Sequence, residues 1–215
     1  MKEESILIKS SELKYALLDT KREGISKLSG KLQEIGFFDA PASGGNHEHR
    51  KGGLCIHSFN VYRNAHRIAQ ALLSPNDYEN MKDSITIVRI HHDVGKCGDY
   101  GKPLYVPKMI KNKKYKKSDP DAEPEYIQSD AMPYQHNPEL TNIPHSFRSV
   151  KIIEKYINLT EDEEYAILYH DGLFERTTGG FSVIPGHETP LLMILHWADL
   201  WASKIDEKEE KGEEV

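Results

Sequence analysis

The run Ile90-His91-His92-Asp93-Val94-Gly95-Lys96 sets an imidazole and a carboxylate side by side where a helical pattern ends. A neighbouring His and Asp offer one nitrogen and one oxygen donor from a single backbone site. Both suit borderline divalent ions such as manganese, iron, nickel or zinc. Residues of the same chemistry recur along the chain: His57 in GGLCIHS, His145 in IPHS, His170 in LYHDG and Asp199 in LHWADLWAS. Each falls on or beside a predicted helix, in or next to apolar residues. A polar His or Asp on a helix face meant for burial costs free energy unless a partner satisfies it. One such residue is ordinarily a hydrogen-bonded core histidine. Six of them, on or beside different helices, are explained together by a metal centre shared between facing helices.

The elements that must position these residues follow from apolar spacing. Ile25, Leu28, Leu32 and Ile35 predict a helix over about 10–36, with Gly24 and Gly30 as weak points. A second helix is expected over about 54–73, carrying Leu54, Val61, Ile68 and Leu72, with Pro75 just beyond it. Asn76 or Asp77 is expected to cap a third, running through Ile87 and Ile90 to about Val94. Helical pattern resumes over about 144–158. Thr160 with Glu163 then forms a capping-box pattern for a helix ending near His170. Thr189 with Pro190 opens the last helix, which extends to about Ile205. Residues 98–143, rich in Lys, Pro, Asp and Tyr, read as a long irregular insertion near the site. No strand alternation recurs often enough to build a sheet. The expectation is an all-α helical bundle, one domain over 1–206, followed by an acidic disordered tail at 207–215.

Composition sets the wider class. The chain has 215 residues, 38% hydrophobic and 29% charged, which suits one globular domain with a core. No apolar run reaches the roughly 20 residues that a bilayer requires. The opening MKEESILIKS is acidic where a signal peptide is basic, so a cytoplasmic protein without a membrane partner is expected. Cys55 and Cys97 then read as reduced thiols. The net charge of −6 gives no footprint for duplex nucleic acid. A local exception is Lys108–Lys117, six lysines with Tyr115 among them, a pattern that a phosphate-rich, base-bearing ligand favours.

These motifs also carry a resemblance. The order His57, then His92-Asp93, then Asp199 resembles the signature of the HD-domain phosphohydrolase superfamily. FFDAPASGGNHEHRKGGLCIHSFNVYRNA is similar to the segment leading into the first metal histidine of bacterial 3′-to-5′ exoribonucleases with an HD domain. It is also similar to that segment in small single-domain bacterial and phage HD hydrolases. PLLMILHWADLWASKID resembles their last helix, and the likeness covers about residues 36–206. It implies an HD-domain helical bundle with a first metal on His57, His92, Asp93 and Asp199. His145 and His170 stand as they do in superfamily members with two metals, which implies a second ion sharing Asp93. The implied cofactor is one or two divalent ions per chain: Mn, Fe, Ni, Co or Zn, with Mg as a further candidate.

The expected activity is hydrolysis of a phosphoester or phosphoanhydride of a nucleotide by a metal-activated water. Asp93 and Lys96 are the expected catalytic residues, Lys96 matching a lysine that faces substrate phosphate in those enzymes. Arg148, one turn after His145, is a second candidate for substrate binding beside Lys96. The alternatives are a 3′-to-5′ exonuclease acting on short oligonucleotides, a cyclic-nucleotide phosphodiesterase and a non-catalytic, metal-stabilised binding module. Asp171 is read as orienting His170 or moving a proton, and His196 as replacing Asp199 or hydrogen-bonding to it. Trp197 is read as core, and His47, His49 and His91 as non-ligands.

Overall fold

Apolar residues at three- and four-residue spacing mark the helices, which take in more than half of the described residues. The computed structural model describes residues 2–115, 123–172 and 186–209. Seven helices longer than one turn lie among these residues: α1 Lys2–Asp19, α2 Ile25–Glu34, α3 Gly53–Leu72, α4 Pro75–His91, α5 His145–Ile153, α6 Glu161–Tyr169 and α7 Pro190–Trp201. A 3₁₀ turn, Val94–Cys97, follows α4. Helix α3 packs against both α4 and α7, while α5 packs on the 3₁₀ turn and α6 on α7. Leu54, Val61, Ile87, Ile90, Ile153, Ile167, Leu192 and Leu195 belong to the single buried cluster between them. Each such side chain contributes about 1.5–3 kcal/mol on leaving water. No described helix is long and apolar enough to cross a membrane.

The first expected helix is two. Lys21 adopts φ 51° and Gly24 φ 84°, so the chain turns sharply between α1 and α2. A Cβ on Gly24 would lie 1.8 Å from the Tyr156 carbonyl oxygen, and only glycine lets the backbone pass there. The α4 cap is Ser74 rather than Asn76 or Asp77. Its hydroxyl accepts the Asp77 N–H at 3.2 Å, and Pro75 occupies the first helical position. Helix α5 stops at Ile153, short of the expected 158. The Thr160–Glu163 capping box and the Thr189 cap are both present.

The segment 98–143 corrects the all-α expectation. Strands β1 Tyr105–Pro107, β2 Met109–Lys111, β3 Tyr126–Gln128 and β4 Tyr134–His136 pair antiparallel, β1 with β4 and β2 with β3. Tyr105 faces His136 and Met109 faces Gln128, so the two ladders are nested in one hairpin arm. Strands of three residues, half-buried or exposed throughout, have no apolar–polar alternation to read. A two-stranded ribbon is marginal alone, and this one is tied at its base. The Tyr134 N–H donates to the Gly44 carbonyl at 3.1 Å, and the Asn137 side chain donates to the Pro103 carbonyl at 2.9 Å.

One ion pair ties the turn after α1 to the start of α6. Arg22 donates to both Glu163 oxygens, at 2.7 and 3.0 Å. Burial pushes the Glu163 carboxyl up, but Arg22 and the Thr160 N–H outweigh it and hold the carboxyl below its ordinary value. Stability from a depressed carboxyl is present above the unfolded pKa of about 4.3 and is lost as pH falls through the lower folded value. Glu163→Ala should therefore cost about 3 kcal/mol at pH 7, by removing both the pair and the cap. Urea melts at pH 7 and pH 3 check this, because the difference between variant and wild type should shrink in acid. A constant difference would assign the cost to packing.

Candidate metal centre

Four helices and one turn bring the six expected residues together. His57 comes from the first half of α3, His92 and Asp93 from the end of α4, and His145 from the start of α5. His170 follows α6, and Asp199 lies on α7. His57, His92, Asp93 and His170 are each at most 1% exposed.

Hydrogen bonding fixes which way the imidazoles point. His92 Nδ1 lies 3.1 Å from the Arg89 carbonyl oxygen, and His170 Nδ1 lies 2.7 Å from that of Ile167. A carbonyl oxygen cannot donate, so Nδ1 carries the proton and Nε2 presents a lone pair. His57 Nδ1 faces a carboxylate, Glu207 Oε1, at 2.7 Å with the same consequence. The Nε2 atoms then converge in two pairs, His57 with His92 at 3.4 Å and His145 with His170 at 3.3 Å. Lone pairs at this separation repel unless a proton or a metal ion lies between them.

The carboxylates complete two donor sets. Asp199 Oδ1 is 2.9 Å from His57 Nε2 and 3.8 Å from His92 Nε2, while Asp93 Oδ2 is 3.4 and 3.5 Å from the same atoms. Asp93 Oδ1 is 3.0 Å from His145 Nε2 and 3.6 Å from His170 Nε2. Asp171 Oδ2 joins this second set at 3.3 and 3.6 Å. Donors bound at about 2.1 Å to one ion stand about 3.0 Å apart at a right angle and about 3.4 Å apart at the tetrahedral angle. Both sets match that spacing. The buried Asp93 Oδ1 accepts no well-aligned hydrogen bond, and the polar atoms facing it are His145 Nε2 at 3.0 Å and His170 Nε2 at 3.6 Å. These groups of His and Asp can hold metal ions, and neither spacing nor donor type selects one element.

The electrostatics agree. Burial pushes the His57 imidazole down, but Glu207, Asp199 and Asp93 reverse this and raise it well above its ordinary value. Burial is likewise overcome at His145 by Asp171 and Asp93, and at His170, raised to about 10, by Asp171, Asp93 and Asp199. The Asp93 and Asp199 carboxyls are held low against burial, Asp93 first by Lys96 and Asp199 first by His57. The carboxylates here demand cations, whether protons or metal ions. In the first set only the Asp199 side chain, 18% exposed, is open to solvent. The second opens outward, with the side chains of His145 and Asp171 23% and 42% exposed.

Other expectations fare differently. Lys96 donates to Asp93 Oδ2 at 2.6 Å, so it reaches the shared carboxylate directly. Arg148 is only 2% exposed; its guanidinium donates to the Thr141 carbonyl at 2.6 Å and faces Asp99 at 3.8 Å. These contacts brace the loop before α5. His196 Nδ1 lies 2.5 Å from the His170 carbonyl oxygen and so braces the turn that carries His170. His91 bonds the Ile87 carbonyl, is pushed down to about 4 by burial, and lies outside the donor sets. Trp197, expected in the core, is 42% exposed. Burial pushes the Cys55 thiol up to about 12, and the Cys97 thiol up as well, so neither is poised as a thiolate ligand. Of the basic run, Lys108–Tyr115 lies on the hairpin arm, and Lys116 and Lys117 lie outside the described residues.

Two residues near the cluster escaped the sequence reading. Tyr105, at the base of the arm, packs edge-on against His136 at 5.2 Å. Its phenol is raised by burial and by the charges of Asp93 and Asp171, which places it in the field of the centre. Glu207, assigned to a solvated tail by its charge, is 1% exposed and touches His57; residues 210–215 of that tail lie outside the described residues. Nothing in the residue types around Glu207 signals its burial.

No protein-family model matches this chain, and the searches of curated proteins and of solved structures return no match.

Proposed function

We propose that this chain is a divalent-metal-dependent phosphohydrolase of the HD type, acting on a phosphoester or phosphoanhydride of a nucleotide. One observation carries the reading: the two oxygens of Asp93 face two different histidine pairs, the arrangement a carboxylate adopts when it bridges two cations. His57, His92, Asp93 and Asp199 would hold one ion. Asp93, His145, His170 and Asp171 would hold the other. Bound there, the ions supply Lewis acidity and acidify a water toward a pKa of about 7. The choice of nucleotide rests on the resemblance in wording and in ligand order.

The chain's own residues then have separate tasks. Asp93 fixes the distance between the two donor sets, because one rigid carboxylate belongs to both. Lys96 holds Asp93 in place through Oδ2 and would supply an ammonium beside the shared carboxylate, where charge grows on a transferring phosphoryl group. Asp171, partly exposed at the open edge, would complete the second set as a carboxylate that His170, His145 and Lys96 keep ionised. His92 and His170, locked through Nδ1 to backbone carbonyls, keep their Nε2 lone pairs aimed inward without rotamer search.

The test is a metal-supplemented screen of nucleoside mono-, di- and triphosphates, cyclic nucleotides and short RNA and DNA, with products resolved by mass. Hydrolysis that depends on added ion and is lost with chelator is the expected result. Up to two metal equivalents with no turnover of any substrate class would turn the reading into a metal-stabilised binding module.

Lys96 gives a sharper check. Lys96→Ala should keep the metal content of the wild type, since it removes a cation competing for Asp93 and no ligand. The same change should lower kcat/KM by about 10²–10³-fold if Lys96 acts as a charge-stabilising donor. Unchanged kinetics would leave it only the task of holding Asp93.

A further inference from the structure

After Trp201 the last helix changes its bonding. Ala202–Asp206 forms a π turn, and one α turn, Glu207–Glu209, follows it. At about 100° per residue, an unbroken helix would rotate Glu207, eight residues beyond Asp199, about 80° away from the direction of Asp199. The wider π turn takes up that rotation and returns Glu207 to the side facing α3. The side chain of Asn64, on α3, holds the turn there by donating to Asp206 Oδ2 at 2.7 Å.

A carboxylate that is 1% exposed is costly unless both oxygens are engaged. Glu207 Oε1 takes His57 Nδ1 at 2.7 Å and Oε2 takes His47 Nδ1 at 2.8 Å. His47 is itself held by its loop: the Ser43 hydroxyl oxygen accepts the N–H groups of Asn46 and His47 at 3.0 Å each. The clamp therefore runs from a braced loop, through Glu207, to the far nitrogen of a donor in the first set. An anchor for the C-terminal turn alone would need any buried donor. This one uses the ring whose other nitrogen faces His92 and Asp199. A carboxylate on the outer nitrogen of a ligating histidine fixes the ring's rotation and raises its basicity.

We infer that Glu207, clamped by His47, is the positioning carboxylate of His57, so that the first metal position and the C-terminal turn 202–209 are coupled. This rests on the metal reading above. Coupling is reciprocal: whatever Glu207 adds to metal affinity, the bound ion adds to the docking of the turn.

The experiment uses the full chain, stripped and reloaded with Mn²⁺ or Zn²⁺. Metal affinity is measured by chelator competition, and amide hydrogen exchange is followed over 202–209. Glu207→Ala should weaken by about 10–100-fold the binding event that His57→Ala removes, and should leave the other event unchanged. Glu207→Gln still offers an oxygen to Nδ1, so it should fall between Glu207→Ala and wild type. His47→Ala should shift affinity in the same direction by less. In wild type, metal should slow exchange over 202–209, and in Glu207→Ala that slowing should vanish. If Glu207→Ala does not fold, Glu207→Gln and His47→Ala carry the comparison. A wild-type chain that takes up no metal overturns the metal reading and the coupling with it. A wild type that binds metal, with Glu207 variants matching it in affinity and exchange, overturns the coupling alone.

Discussion

Asp93→Asn should remove turnover and most of the bound metal together. The amide keeps one oxygen but loses the charge, and it turns an N–H donor toward one of the two histidine pairs. Each donor set loses its shared anion, so metal affinity should drop at both positions, by more than the 10–100-fold or so that a change behind the ligands costs. His57→Ala should instead weaken only the first position, and the double change His145→Ala, His170→Ala only the second. Elemental analysis after dialysis against a weak chelator separates the three patterns. An Asp93→Asn chain that retains two equivalents would break the bridging assignment. The metal-free variant should also be less stable. Lys96, whose side chain is 11% exposed, is left without the carboxylate it touches at 2.6 Å, and stranding a mostly buried charge costs about 3 kcal/mol.

The parts of this molecule that can be read from sequence are those where the local pattern and the packing agree. Helix α3 spans Gly53–Leu72 against an expected 54–73, because its apolar stripe has one period and Pro75 closes it. The six donors could be recognised as a set because polar residues in apolar helices demand a common partner, and the structure brings all six together. Other features depend on contacts that no local pattern announces. Gly24 breaks a helix because Tyr156, far along the chain, passes against it. The hairpin arm has strands too short to show alternation. Arg148 looks like an exposed cation until the Thr141 carbonyl and Asp99 are seen beside it. Glu207 is the sharpest case: its charge-rich neighbours suggest a solvated tail, and only the π turn and His57 explain its burial.

The donor arrangement also depends on a residue with no side chain. Gly95 stands between Asp93 and Lys96 on the 3₁₀ turn, and its N–H donates to the Ser149 hydroxyl of α5 at 2.8 Å. A Cβ added there would lie 2.0 Å from the His145 carbonyl oxygen and 2.8 Å from both Arg148 Cβ and the Ser149 nitrogen. The φ of Gly95 is not positive, so an alanine could adopt this backbone, and the whole penalty comes from contact with α5. Two of the three neighbours are backbone atoms that cannot rotate aside, so α5 must move. His145 is the first residue of α5, and its Nε2 lies only 3.0 Å from Asp93 Oδ1. Gly95→Ala should therefore cost about 1–3 kcal/mol or more from overpacking, and it should also weaken the second metal position while sparing the first. Gly30→Ala in α2 is the control: nothing lies within 4 Å of its Cβ, so it should stabilise the chain by about 0.5–1 kcal/mol. Thermal melts and metal titrations of the two variants check both links. If Gly95→Ala lost stability with both metal positions intact, the turn would be a packing contact only, and α5 would have room to shift without carrying His145 away.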